Sequence, residues 1–305
     1  MNTEIVFDRL IKALGQDKVL KNEPMCTHTT FKVGGKASVF VIPSCEEDVV
    51  SCIKILKELE VNFFILGNGS NILVSDKGYD GVVIYMGKNM SDIFVDGEKI
   101  TAQSGALLSK VASVAFLNSL SGFEFASGIP GSIGGAVYMN AGAYGGSMSD
   151  VVVKTRYVDN DGNIKEIIGE NHNFSYRHSI FCDGGTVLSA EIMLKSGNKE
   201  EIKEEMARLN KQRKEKQPLE YPSAGSTFKR PEGHFAGKLI QDAGLGGFSM
   251  GGAQVSSKHC GFIINKDNAT CEDILSLIAH VQKVVFEKYG VELTPEIKML
   301  GGDFR

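Results

Sequence analysis

Ser127-Gly128-Ile129-Pro130-Gly131-Ser132-Ile133-Gly134-Gly135-Ala136 is the segment from which the fold can be worked out. Closely spaced glycines around a rigid proline let backbone lie flat against a planar or pyrophosphate-bearing ligand. A purely structural loop would tolerate side chains at several of these positions. The continuation Asn140-Ala141-Gly142-Ala143-Tyr144-Gly145 adds more small residues, an amide and an aromatic ring. Upstream, a strand pattern from Val61 to Leu66 runs into a second loop, Gly67-Asn68-Gly69-Ser70-Asn71. A GxGxxG dinucleotide fingerprint would need glycine at position 72, where the chain has Ile72. Gly67 and Gly69 still allow N–H groups to converge on an anion, with Ser70 and Asn71 as side-chain donors. Taken alone, this loop reads as readily as a plain turn after a strand.

The flanking periodicity is α/β. A strand from Ala37 to Ile42 leads through Pro43 into a helix that a Ser44/Glu47 capping box is expected to start. Val49, Cys52, Ile53 and Leu56 form its apolar stripe. Short strands are expected at 72–74, 82–85, 93–95 and 100–102, then a helix from about Leu107 to Leu120 ending at Gly122. Beyond the glycine-rich region, Val151–Val158 and Ile164–Ile168 are expected to pair across an Asp161-Gly162-Asn163 turn, and Thr186–Leu194 forms another strand. Asn198 caps a highly charged helix that Pro218 stops, read as a solvated connector. The C-terminal part has a strand at 261–265. A helix follows with Ile274, Leu277, Ile278, Val281, Val284 and Val285 on one face and Gly290 as its stop.

Composition excludes several functions. Glycine supplies 35 of 305 residues and proline only 7, against averages of about 7% and 5%, so the chain has tight turns without being low-complexity. At about 150 residues per domain, the length points to two domains. A net charge of −4 with no basic tract gives nucleic acid or an anionic membrane no electrostatic handle. No apolar run is long enough for a membrane span, and Met1-Asn2-Thr3-Glu4 does not open a signal peptide. The six cysteines include no CxxC pair, and Cys45 and Cys52 lie too far apart on one helix to bridge. They read as free thiols of a reducing cytoplasm. The histidines show no ligand spacing, so no metal is expected.

Two motifs are decoys. Gly233-His234-Phe235-Ala236-Gly237-Lys238 is one residue short of a phosphate-binding loop, and Leu239 follows where a hydroxyl is needed. Gly247-Phe248-Ser249-Met250-Gly251 matches a nucleophile elbow but lacks the strand before it and the helix after it. Three polar clusters remain: Tyr176-Arg177-His178-Ser179, Ala224-Gly225-Ser226-Thr227-Phe228 and Thr294-Pro295-Glu296-Ile297-Lys298. An arginine, a serine on a small-residue turn and a glutamate are the types that bind a carboxylate and move a proton.

Taken together, the segments resemble one family, the UDP-N-acetylenolpyruvoylglucosamine reductases, or MurB flavoenzymes, of peptidoglycan precursor synthesis. The resemblance runs from about Thr27 to the C-terminus. It rests on Thr29-Thr30-Phe31-Lys32-Val33-Gly34-Gly35, Leu66 to Asn71, Gly128 to Gly145, Ser175-Tyr176-Arg177, Ala224 to Phe228, Ala236 to Ile240 and Leu293-Thr294-Pro295-Glu296, in that order. It implies an α/β (α+β) chain with a vanillyl-alcohol-oxidase (PCMH-type) FAD-binding fold of two subdomains and a C-terminal α/β substrate domain. The expected divisions are an N-terminal helical segment (1–32), the FAD-binding domain (33–197) and the substrate domain (198–305).

The resemblance further implies non-covalent FAD, NADPH as reductant and UDP-N-acetylglucosamine enolpyruvate as substrate, in a cytoplasmic monomer without nucleic-acid or membrane partners. Cofactor contacts are expected from Gly67, Asn68, Gly69, Ser70, Asn71, Ser127, Gly128, Ile129, Pro130, Gly131, Ser132, Gly134, Gly135, Ala136, Asn140, Gly142 and Ala143. Arg177 and Glu296 match the family's donors to an aci-carboxylate enolate, Glu296 in its protonated form. Ser226 matches the proton donor. Tyr176, Lys216 and Arg230 match substrate or cofactor contacts. The chain departs from longer relatives by lacking an inserted tyrosine segment between Leu194 and Lys199, and Lys298 stands where many members have arginine. Two other readings are a different FAD-dependent oxidase of this fold and a non-redox UDP-sugar-binding protein. Such oxidases commonly attach flavin through a histidine, and none lies in the first glycine loop.

Overall fold

A computed structural model describes residues 2–302. Met1 and residues 303–305, included in the ranges above, lie outside them. The chain divides into two compact units, and it passes between them several times. Among the described residues, the first unit comprises 2–21, 39–68 and 81–213, and the second comprises 22–38, 69–80 and 214–302. No helix among the described residues is long and apolar enough to cross a membrane.

The first unit carries helices α1 (Thr3–Leu14), α2 (Glu46–Glu58), α3 (Leu108–Leu117), α4 (Ile133–Tyr138) and most of α5 (Lys199–Lys216). The 1–32 segment expected to be helical holds α1 and also the strand Val19–Pro24. That strand begins a four-stranded sheet, followed in order by Lys36–Val41, Tyr79–Tyr85 and Phe63–Leu66. Phe63–Leu66 runs parallel to its neighbour Tyr79–Tyr85, and the chain between them holds the first glycine loop and the strand Ile72–Val74. Val49, Cys52, Ile53 and Leu56 all lie in the core beneath α2, as their 3.6-residue spacing requires.

A second sheet of five antiparallel strands runs Ile164–Ile168, Val152–Val158, Thr186–Met193, Lys99–Gln103, Ile93–Asp96. The expected hairpin forms at Asp161-Gly162, with Gly162 at φ +80° and the Asp159 carboxylate accepting the amides of Asp161 (2.9 Å) and Asn163 (2.8 Å). A separate core cluster, including Ile100, Val111, Phe123, Ile133 and Ile192, packs with this sheet.

Two local expectations need correction. No Ser44/Glu47 capping box forms. Helix α2 begins one residue later, with Cys45 at its N-cap, so Ser44 lies outside and donates both its amide and its hydroxyl to Asp48 at 2.8 Å. Asp48 is also held at 2.7 Å by Lys18. Helix α3 stops at Leu117, not Leu120, because Ser119 turns left-handed at φ +55°. Leu120–Ser121 then pairs with Lys195–Ser196, which buries Leu120. The short link between Leu194 and α5 is therefore a two-residue strand, Lys195–Ser196.

The second unit holds α6 (Ala236–Asp242) and α7 (Cys271–Tyr289) against a three-stranded antiparallel sheet, Ser249–Met250, Ala253–Val255 and Ile263–Asn265. In α7, Ile274, Leu277, Ile278, Val281 and Val285 are buried, and Gly290 ends the helix at φ +66°. Asp76 accepts the first two helical amides of α7, from Cys271 at 2.9 Å and Glu272 at 3.1 Å. Ser249 lies in a β-hairpin rather than on a strand-to-helix elbow. Lys298–Leu300 pairs parallel with Ile72–Val74.

Candidate active site

In the first unit the two glycine loops meet. Asn68 donates its side-chain amide to the Pro130 carbonyl at 2.7 Å. A Cβ on Gly67 would lie 2.5 Å from Ser132 Oγ. That hydroxyl is buried without any hydrogen-bond partner, which is costly unless a ligand completes it. Gly135 is exposed beside it, and a Cβ there would lie 3.9 Å from Ser132 Oγ. This orphaned hydroxyl between two side-chain-free positions fits the phosphate or sugar oxygens of a dinucleotide.

Not every expected donor is open. The amides of Ile133 and Gly134 are spent on Ala106 and Ser104 carbonyls at 2.9 and 2.8 Å. Gly134 is glycine because a Cβ there would come within 2.0 Å of Ser104 Oγ. Ile133, Gly134 and Ala136 are buried, and Gly131 gives its carbonyl to the Leu108 amide at 3.0 Å. Ile129 is partly buried against the core. Gly142 and Ala143 form a two-residue ladder with Gly146 and Ser147.

Helix α5 is more than a solvated connector. Ile202 and Leu209 are buried, Met206 packs against the core of the five-stranded sheet, and Asn210 donates to Ser127 Oγ at 3.3 Å. Arg213 lies over Gly128, with its Cδ 3.0 Å from where a glycine Cβ would be. Burial pulls its guanidinium pKa below the ordinary arginine value. The sequence reading missed Asn210 and Arg213, although the spacing 202, 206, 209, 213 marks one helix face.

Arg177 sits in a tight turn. Ser175 and His178 exchange backbone hydrogen bonds of 3.0 and 3.3 Å, and Arg177 itself adopts φ +57°. Its guanidinium carbon is 5.2 Å from the Tyr176 ring centroid. Before the turn, the fully buried His172 ring bonds the Gly169 carbonyl at 2.7 Å and Thr155 Oγ1 at 2.9 Å, and stacks on Phe174. A carbonyl only accepts, so the ring proton sits on Nδ1 and the neutral Nε2 accepts from the threonine. Burial lowers the His172 pKa.

The second unit assembles the other polar positions. Ser226 is exposed after Gly225, which has φ +77°. The next residue, Thr227, accepts the Glu296 amide at 2.8 Å, and Phe228 bridges Pro295, so the serine and glutamate segments run side by side. Asn71 donates its side chain to the Glu296 carbonyl at 3.3 Å and its own carbonyl accepts the Lys298 amide at 2.9 Å. Gly69 accepts the Thr30 amide at 3.1 Å, and the Thr30 hydroxyl donates to the Ser223 carbonyl at 2.6 Å. The end of the first glycine loop thus braces both segments, a role its local spacing did not reveal. Ser70 is half-buried here. Lys216 is the last residue of α5, and the Arg230 guanidinium lies 4.0 Å from the Phe235 ring centroid.

Residues 37–168 match an FAD binding domain, and residues 217–300 match the C-terminal domain of UDP-N-acetylenolpyruvoylglucosamine reductase. A curated UDP-N-acetylenolpyruvoylglucosamine reductase of Caldanaerobacter subterraneus is 54% identical over 299 residues, covering 98% of this chain and 99% of its own length. This chain belongs to the UDP-N-acetylenolpyruvoylglucosamine reductase family. A Clostridium perfringens reductase is 52% identical over 305 residues, covering 99% of this chain and 100% of its own. The crystal structure of the Thermus caldophilus reductase superposes with a TM-score of 0.80 at 34% identity, over 93% of this chain and 98% of that one. Phl p 4.0202, a glucose dehydrogenase, aligns at 16% identity with a TM-score of 0.51 over 64% of this chain and 44% of its own, a likeness of fold. As a family member with a matched FAD-binding domain, the chain is an FAD-dependent oxidoreductase.

Proposed function

We propose that this UDP-N-acetylenolpyruvoylglucosamine reductase family member reduces the enolpyruvyl ether of UDP-N-acetylglucosamine enolpyruvate to UDP-N-acetylmuramate, in the cytoplasm, with NADPH as reductant. The observation that carries the cofactor part is the buried, partnerless Ser132 hydroxyl between Gly67 and Gly135. Gly67, Asn68, Ser132 and Gly135, with Arg213 over Gly128, would hold the FAD. Residues 33–197 serve the flavin in this reading, joined by Arg213 from the 198–305 segment, which otherwise serves the UDP-sugar. When bound, FAD carries reducing equivalents from NADPH to the substrate alkene.

The chain's own residues manage charge and protons. Reduction at the terminal alkene carbon leaves negative charge on the carbon beside the carboxylate, spread into that carboxylate as an enolate. The Arg177 guanidinium and a protonated Glu296 carboxyl are the donors that lower its energy; preorganised donors of this kind are the largest usual electrostatic contribution. The Ser226 hydroxyl donates its proton to that carbon, which is basic enough to take it. Pairing between the Ser226 and Glu296 segments supports their acting together. Tyr176, Lys216 and Arg230 contact substrate or reductant.

The test is the visible spectrum under anaerobic conditions. Flavin absorbance is expected to bleach with NADPH and return when the enolpyruvyl UDP-sugar is added. Ser226→Ala is expected to bleach normally but to lose product formation by at least about 100-fold. A protein that cannot be reconstituted with FAD, or normal turnover in Ser226→Ala, would refute the corresponding part.

A further inference from the structure

We propose that Asn140 is a positioning residue that aims Arg177, using its side chain inside the protein rather than on the cofactor. The inference rests on the reading above, in which Arg177 stabilises the enolate. Asn140 follows α4 by two residues, is 9% exposed and adopts φ +43°. Its Oδ1 accepts the Ser149 amide at 2.9 Å, and its Nδ2 donates to the Ser175 carbonyl at 3.0 Å. Ser175 opens the turn that carries Arg177, and that turn is closed by its own reciprocal backbone bonds. A turn so closed moves as a block, and its direction is set by whatever grips its ends.

Both grips come from the end of α4. Asn140 holds the near end through Ser175, and the Tyr138 carbonyl accepts the buried Ser179 hydroxyl at 2.9 Å at the far end. The helix that leads to these anchors has Ser132, the orphaned hydroxyl of the glycine loop, as its N-cap. One short rigid element therefore references the Arg177 turn to the flavin cradle. Asparagine suits the position for two reasons: it tolerates a left-handed backbone, and it offers a donor and an acceptor on one planar group. Aspartate keeps the shape and the acceptor for Ser149 but turns an oxygen toward the Ser175 carbonyl.

The experiment compares Asn140→Asp, Asn140→Ala, Arg177→Gln and the double variant Asn140→Asp/Arg177→Gln as full-length holoenzymes in anaerobic stopped flow. Flavin content, the oxidised flavin spectrum and bleaching by NADPH are expected to match the wild type in both Asn140 variants. Reoxidation by the enolpyruvyl UDP-sugar is expected to slow by about 100-fold, the effect of displacing a positioned group by roughly 1 Å. The Asn140→Asp change is expected to add nothing to Arg177→Gln, because a residue acting through Arg177 has no further effect once the guanidinium is gone. A merely structural role would give multiplicative losses. Loss of flavin from Asn140→Asp, wild-type reoxidation, or multiplicative losses in the double variant would overturn the proposal while leaving an Arg177 defect intact. Wild-type reoxidation in Arg177→Gln would instead overturn the reading of Arg177, and this proposal with it. If Asn140→Ala does not fold, the isosteric Asn140→Asp alone decides.

Discussion

Replacing Gly69 by alanine separates two demands that glycine meets in the first loop. Gly69 has φ +61°, and Gly290, at the end of α7, has φ +66°. A Cβ at either position suffers nearly the same left-handed strain, about 1–2 kcal/mol. Around Gly290 a Cβ meets nothing within 4 Å, so strain is the whole cost. At Gly69 a Cβ would lie 2.0 Å from the His28 carbonyl oxygen and 2.9 Å from Thr29 Cα. Both are backbone atoms, so no rotamer change relieves the clash, and an ordinary contact requires backbone to retreat by about 1.5 Å. Retreat also stretches the Thr30 amide bond to Gly69 O, now 3.1 Å, and one such bond is worth about 1 kcal/mol. Overpacking of this kind, the weakened hydrogen bond included, costs about 1–3 kcal/mol. Gly69→Ala is therefore expected to lose about 2–5 kcal/mol in all, and at least about 1 kcal/mol more than Gly290→Ala. Urea unfolding of both variants, followed by circular dichroism, measures the difference. Equal losses would show that backbone strain alone explains Gly69, and the close approach to His28 would then carry no energy.

Three further outcomes follow from the same geometry. Asp76→Ala removes a carboxylate from two amides of α7, so it is expected to cost about 1–2 kcal/mol in urea unfolding; a loss within error of zero would deny that cap its role. Burial lowers the pKa of His172 and His259 in the folded protein, so below the ordinary histidine range, about 6.5, the unfolded chain binds the extra protons. Stability is therefore expected to be fully present above about pH 7.5 and to fall as pH drops through that range, more weakly in His172→Gln; a Tm flat from pH 7.5 to 5.5 would refute this. Arg213→Ala is expected to weaken FAD retention by roughly 10-fold or more, the scale of one charge-assisted hydrogen bond, read by flavin fluorescence on dialysis. Unchanged retention would place the guanidinium's partner elsewhere.

Much of this architecture was legible in the chain because it is local. The stripe in α7 and that in α2 repeat within a few residues, and such repeats bury one face whatever surrounds the helix. The Asp159 to Asn163 turn is likewise closed by its own side chain. Boundaries were less legible. The helix after Leu107 looked longer because Leu120 suits a helix as well as a strand. Only its pairing with residues 195–196 decides between them.

The chain's residues and their spacing carry the family, the two glycine loops and the residue types available for the chemistry. The tertiary structure alone decided which of those residues have their hydrogen bonds spent within the protein. Asn71 and Asn140 read as ligand donors, yet they brace Glu296 and Ser175; Ser132 is left with a hydroxyl to offer; and Arg213 lies half-buried over Gly128. The physical reason is range. Periodicity and turn chemistry act over a handful of neighbours, whereas Asn71 and Glu296 lie 225 residues apart in the chain. A polar group's partner at that separation exists only once the backbone has brought the two together.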